Sequence, residues 1–224
     1  MRDFWRTTLS RPVGIPVQHF GQRLCMKGET LKTGNNEQLI RCPWPADDEM
    51  MIEYHDKEWG TPVHDDKIIF EFLILEGMQA GLSWSTILHK RENFRKAFDN
   101  FHVEKVAKYD ARKIRGLMSD AGIIRNKLKI EAAVNNARQF IKVQEEFGSF
   151  DKYIWQFVGG KPKLNKFKTL RQLPPRSKES DVMSKDLKER GFKFVGSTIC
   201  YAHMQATGMV NDHVVGCFRY REIK

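Results

Sequence analysis

The stretch Glu71–Ile87, reading EFLILEGMQAGLSWSTI, limits most sharply what this chain can fold into. Ile68, Phe72, Leu75 and Met78 recur at the three-to-four-residue spacing of one buried helical face. Glu76 and Gly77 then interrupt the apolar run, and Ala80-Gly81-Leu82-Ser83 makes a turn in which Ser83 is placed to cap a second helix. Trp84 falls in the first turn of that helix. A helical hairpin with one solvated Glu and one core Trp accounts for the pattern. So does a carboxylate set among aromatics beside a glycine turn, and the stretch alone leaves both readings open.

The same punctuation recurs down the chain. Asp47 is placed to cap a short helix through Met51, Tyr54 and His55, ended by Gly60 and Pro62, and Asp65 or Asp66 caps the helix holding Glu76. Helical patterns follow over Trp84–Phe98, Val103–Tyr109, Ala111–Met118, Asn126–Phe147 and Phe150–Val158. A polar connection with Gly159, Gly160, Pro162, Pro174 and Pro175 leads to Asp181–Arg190, capped by Ser180, and a last helix from Ser197 to about Thr207. Strand-type alternation is nearly absent, so the fold class is all-α.

Residues 1–38 differ from the rest. Arg2, Arg6, Arg11, Arg23, Lys27 and Lys32 outnumber Asp3, Glu29 and Glu37, and Pro and Gly break every period. They read as a basic, disordered extension preceding a single domain over 39–224. An aid to DNA binding, an organellar targeting segment and translation from too early a start (with Met26 as the alternative) all remain open for it. In the whole chain 38 Lys and Arg face 28 Asp and Glu, a formal net charge of +10 that suits a polyanionic partner. No apolar run is long enough to span a membrane. Cys25, Cys42, Cys200 and Cys217 are too few for a disulfide framework in a chain of 224 residues, so the expected setting is intracellular. Within that setting cytoplasm, nucleoid, organelle and nucleus stay open.

Three constellations carry chemistry. Cys42 and His55 near the start of the domain are matched by His213 and Cys217 near its end. Two thiolates and two imidazoles make a complete tetrahedral set for zinc, with no position left for water, so such an ion would be structural. Two buried cysteines and two unrelated histidines are the plain alternative, and His203 is a spare candidate without a paired partner. Leu117–Lys127 reads as a helix end, a turn at Gly122, the apolar pair Ile123–Ile124 and a new helix. That suits a helix–hairpin–helix whose amides hold a DNA phosphate, with Arg125, Lys127 and Lys129 adding salt-sensitive attraction. Ordinary helix–turn–helix packing uses similar residues. Trp44, Tyr54, Trp59 and Trp84 cluster around Glu76 in sequence, as core residues or as a cage for a flat cation.

The strings RCPW, EYHDKEWGTP, LEGMQAGLSW, RENFRKAF, DAGIIRNKLKI and RGFKFVGSTICYAHMQATGMVNDHVVGC, in this order between Arg41 and Cys217, closely resemble the DNA-3-methyladenine glycosylase I family. The resemblance implies an all-helical helix–hairpin–helix fold that flips 3-methyladenine from double-stranded DNA and hydrolyses its N-glycosidic bond without lyase activity. It implies one structural zinc on Cys42, His55, His213 and Cys217. Glu76 matches the carboxylate that binds the excised base, Tyr54 its partner, Trp84 and Trp44 the enclosing aromatics, and Trp59 a further pocket wall. Leu82, on the turn containing Gly81, matches the residue that approaches the gap in the duplex. Met51 stands where the family pattern leads one to expect an aromatic. A monomer is expected. The rivals are a non-catalytic hairpin module that only binds DNA, and a glycosylase for another alkylated purine.

Overall fold

The structure is a computed structural model that describes residues 39–223. The basic extension at 1–38 lies outside the described residues. Eleven α-helices are described: α1 (Glu49–Lys57), α2 (Asp66–Gln79), α3 (Trp84–His89), α4 (Arg91–Ala97), α5 (Val103–Val106), α6 (Ala111–Ser119), α7 (Lys127–Phe147), α8 (Phe150–Trp155), α9 (Lys178–Glu189), α10 (Ser197–Ala206) and α11 (Phe218–Glu222). Among the described residues strand is confined to a two-residue parallel pair, β1 (Lys163–Leu164) with β2 (Val210–Asn211). The all-α expectation holds.

Capping explains most boundaries. Asp65 accepts from the Ile68 amide, Ser83 from Thr86 and Asn126 from Lys129, each meeting an amide that its helix leaves without a partner. Gly148, at φ +83°, ends α7 in the left-handed cap. Other boundaries move. Asp48, not Asp47, caps α1, accepting from Met50 and Met51. The expected helix Trp84–Phe98 breaks at Lys90 into α3 and α4. Ser177, rather than Ser180, caps α9 in a reciprocal pair of hydrogen bonds with Ser180. Asp99, Asn100 and Phe101, between α4 and α5, all adopt positive φ (51°, 53° and 55°), a left-handed turn rare for residues with a Cβ. The Tyr109 hydroxyl donates to Asp99 at 2.5 Å and secures it.

α2 is the axis of the molecule. Every residue from Ile69 to Gln79 is buried, because α3, α7, α8 and α10 pack around it. Ile68, expected on the buried face, is 40% exposed in the first turn, before its neighbours close over it. α10 lies antiparallel to α2: Phe194, just before α10, sits against Gly77, while the Thr207 carbonyl at the end of α10 accepts from Val63, just before α2. Gly208 fits this crossing only as glycine, since a Cβ there would stand 2.4 Å from the Thr61–Pro62 peptide. The chain also closes on itself, with the Phe218 amide donating to the Ile40 carbonyl at 2.9 Å.

Candidate active site

Two carboxylates lie inside the apolar body of α2 and meet opposite fates. Glu71 accepts from Arg91 Nε at 2.5 Å and from Arg95 Nε at 3.0 Å, and Arg91 also reaches Glu58 at 2.7 Å. Burial works against the Arg91 charge, but Glu71 and Glu58 outweigh it and raise its pKa. Glu76 has no such neighbour. It is 4% exposed, and among the described residues no donor reaches its buried Oε2. Burial alone pushes its pKa from the ordinary 4.5 to about 8. A buried carboxylate without a donor is costly in the empty site and becomes favourable when a cationic or hydrogen-bonding group enters.

Aromatic rings surround it. Tyr54 and Trp84 lie 5.3 Å apart, Phe72 stacks on Trp84 at 6.4 Å, and Trp44 meets Tyr54 edge-on at 6.3 Å. Arg91 lies over the other side of this group, 4.9 Å from the Phe72 centroid. Burial first, and then the Glu76 charge, hold the Tyr54 hydroxyl protonated, so it remains a donor. Trp84 Nε1 and Gln79 Nε2 are also buried with no partner among the described residues. Gln79 follows Glu76 by three positions and so shares its face of α2, a placement that nothing in the local sequence pattern singles out. Trp59, expected as a pocket wall, stands between Trp44 at 5.2 Å and the His213 ring at 4.6 Å, so it links the aromatic group to the Cys/His cluster. Met51 is buried on α1 and fills core where the family pattern suggested a ring. His203 is a core residue: it is 1% exposed, and burial lowers its pKa to about 3.

The turn after α2 presents Leu82, 39% exposed, on a backbone that reverses at Gly81 with φ +81°. That φ is why glycine stands there. Lys129, in the first turn of α7, fixes the turn from behind: its Nζ donates to the Met78 carbonyl at 2.8 Å and to Ala80 at 2.6 Å. It therefore satisfies the carbonyl end of α2 and is not available to a phosphate, which corrects the expectation for Lys129. Gly122 needs a second correction. Its amide already donates to Asp120 at 2.7 Å, and its carbonyl accepts from Lys90. Ile123 is buried and packs the hairpin, while Arg125 and Lys127 are exposed beside the open first-turn amides of α7.

The four residues Cys42, His55, His213 and Cys217 converge, their donor atoms all within 4.8 Å of one another and all four residues buried. Successive residues on a helix point about 100° apart, so α1 turns Tyr54 toward the pocket and His55 toward this cluster. His55 Nδ1–H donates to Asp56 at 2.8 Å and His213 Nε2–H to the Trp59 carbonyl at 2.9 Å, which leaves His55 Nε2 and His213 Nδ1 facing the thiols. Burial works against the Asp56 charge, yet hydrogen bonds from Arg41 and His55 hold its pKa below the usual carboxylate value. Such a set could hold a metal ion.

A closed Cys/His cluster, an unpartnered carboxylate among aromatic rings and a hairpin beside the exposed Leu82 together define an all-α protein with a candidate ligand site. The model of the methyladenine glycosylase family matches residues 44–220, and the chain belongs to that family, whose members are N-glycosyl hydrolases. It is 49% identical over 182 residues to DNA-3-methyladenine glycosylase 1 of Escherichia coli (strain K12), covering 81% of this chain and 97% of that protein. The crystal structure of a 3-methyladenine DNA glycosylase I superposes with a TM-score of 0.78 at 45% identity, over 80% of this chain and 98% of that one. The Staphylococcus aureus 3-methyladenine DNA glycosylase I, solved for the structural basis of 3-methyladenine recognition, gives 0.77 at 38% identity, over 80% and 95%.

Proposed function

We propose that this protein removes 3-methyladenine from alkylated double-stranded DNA by hydrolysis of the N-glycosidic bond, leaving an abasic site. The observation that carries the reading is the buried, unpartnered Glu76 carboxylate within a shell of aromatic rings. Methylation at N3 makes the nucleobase cationic, so it is already a good leaving group and needs no general acid. Arrival of the cation displaces the Glu76 proton, so the carboxylate binds it by charge-assisted hydrogen bonding, while Tyr54 and Trp84 supply donors and stacking faces and Trp44 closes the shell. Neutral adenine gains much less from the same groups, which gives selectivity for the lesion. Flipping costs least at a damaged base, and Leu82 on its clamped turn fills the space the base leaves. Arg125, Lys127 and the first turn of α7 hold the backbone.

Zinc is the ion we assign to the Cys/His cluster. In a regular tetrahedron with Zn–N near 2.05 Å and Zn–S near 2.3 Å, donor atoms stand about 3.3 Å apart for N···N and about 3.5–3.6 Å for N···S. His213 Nδ1 and His55 Nε2 are 3.2 Å apart and three of the four sulfur–nitrogen edges are 3.5, 3.6 and 3.6 Å, with all four donor atoms within 4.8 Å of one another. The ion is structural, because four protein ligands leave no place for water. No lysine stands at a recognised nucleophile position, so no Schiff-base or strand-cleaving activity is expected. A monomer is expected, since the described core closes without a partner.

Incubation with methylated genomic DNA tests the reading, with the released bases identified and Glu76→Ala run alongside. Release of 3-methyladenine that the variant loses supports it. No release from a folded, metal-loaded sample would leave a DNA-binding module, and release dominated by another methylated purine would move the specificity.

A further inference from the structure

We infer that the connection between α8 and α9 is a second DNA-binding ridge, remote from the base pocket, that lets one molecule hold two duplex segments. The inference takes from the proposed function only that the polyanion is DNA. Between residues 159 and 178 the sequence carries Lys161, Lys163, Lys166, Lys168, Arg171, Arg176 and Lys178 and no acidic residue. All seven are exposed. Runs of like charge are usually solvated and shapeless. Two observations separate this one from that ordinary case.

The first is that the segment is pinned. β1 within it pairs with β2, the Phe167 carbonyl accepts from Val215 at 2.9 Å, and Asn165 Nδ2 donates to the buried Asp212 at 2.6 Å. The Gln172 side chain accepts from the Lys168 amide at 2.6 Å, and Pro162, Pro174 and Pro175 restrict what remains. The cations therefore sit on a fixed ridge, which lowers the ordering cost of binding. The second is that most of them are unpaired. Among the described residues Lys163 pairs with Glu179 at 2.5 Å and Arg176 with Asp181 at 3.6 Å, while Lys161, Lys166, Lys168, Arg171 and Lys178 have no carboxylate partner. Fixed, unpaired cations on one ridge match a phosphate backbone, whose binding gains from the release of condensed counterions.

Position sets the role. Leu82 and the hairpin lie at the C-terminal end of α2. The ridge is tied to β2, just after the C-terminal end of α10, and that end of α10 meets the N-terminal end of α2. The two surfaces are thus separated by the length of α2, about 21 Å for its 14 residues. A duplex seated on the hairpin and wedge leaves the ridge free for another segment. A molecule so equipped can pass from one segment to the next without full release.

The test compares the full-length, zinc-loaded protein with the variant Lys161→Gln/Lys166→Gln/Lys168→Gln/Arg171→Gln and with its charge-retaining counterpart Lys161→Arg/Lys166→Arg/Lys168→Arg. Sedimentation with a short undamaged duplex at low salt is expected to give two duplexes per chain for the wild type and the Arg variant, and one for the Gln variant. Dissociation from a labelled duplex should accelerate with added unlabelled duplex for the wild type and not for the Gln variant. The salt dependence of the second binding step should weaken by about 0.9 per lost phosphate contact. Single-turnover base release at saturating protein should be the same in all three. One duplex per chain for the wild type, or equal stoichiometry and equal salt dependence in wild type and Gln variant, overturns the ridge. So does a Gln substitution that abolishes binding to phosphatidylserine vesicles while leaving DNA stoichiometry unchanged. A wild type that bridges two duplexes but releases no methylated base keeps the ridge and removes the proposed function instead.

Discussion

The Cys/His cluster and the base pocket share a helix, a line of aromatic rings and near-complete burial, yet they are finished in opposite ways. In the cluster each imidazole has its outer nitrogen fixed, by Asp56 or by the Trp59 carbonyl, and the Val214 amide points at the Cys42 sulfur. In the pocket Glu76 Oε2, Gln79 Nε2 and Trp84 Nε1 are left without protein partners among the described residues. Completed polar networks hold a fold together, whereas unpaired buried groups cost stability until something arrives to meet them. On the function proposed above, the first site is architecture and the second recognition.

Disabling the cluster is expected to have the largest effect. Cys217→Ser, or prolonged chelation, should cost about 3–5 kcal/mol, because it strands the remaining ligands in the core. Thermal unfolding with metal analysis reads this, and an unchanged melting temperature in a metal-free sample would abolish the contrast. Glu76→Gln should do the reverse: base release falls about ten- to a hundredfold while the melting temperature holds or rises. A variant that lost stability and activity together would make Glu76 an architectural residue like Glu71.

A pH series sharpens the same point. The folded chain holds the Glu76 proton up to about 8, whereas an unfolded chain releases it near 4.5. Stability should therefore fall as pH rises between those values, and Glu76→Gln should flatten that part of the profile. The smallest effects belong to the DNA side. Leu82→Ala should lower excision from duplex DNA by about tenfold with stability within about 0.5 kcal/mol of wild type. Arg125→Ala should reduce the salt slope of binding by about one, measured by titration at several salt concentrations.

What could be read from the sequence was what neighbouring residues decide. Ser83 and one of the neighbouring pair Asp65 and Asp66 mark helix starts through contacts a few positions away, and Ser83 and Asp65 do so in the fold. The cluster was legible for another reason: only a few residue types bind zinc, and the chain places two such pairs near the domain's ends. Contacts between distant segments were not legible. Glu71 and Glu76 look alike in an apolar helix until Arg91 and Arg95, a whole hairpin later, fold back onto only one of them. Lys127 and Lys129 look alike until α7 packs, which leaves the first in solvent and presses the second against Met78 and Ala80. The short pair of β1 with β2 rests on residues 47 apart and has no alternating pattern to announce it.

The closure of Phe218 onto Ile40 has a topological consequence. A domain whose first and last described turns already touch is, in effect, a loop with an arbitrary starting point. A short peptide joining those ends, with a new opening at the exposed, left-handed Gly159–Gly160 step, would give a circular permutant. Every helix would keep its neighbours, and only the order in which the chain is synthesised would change.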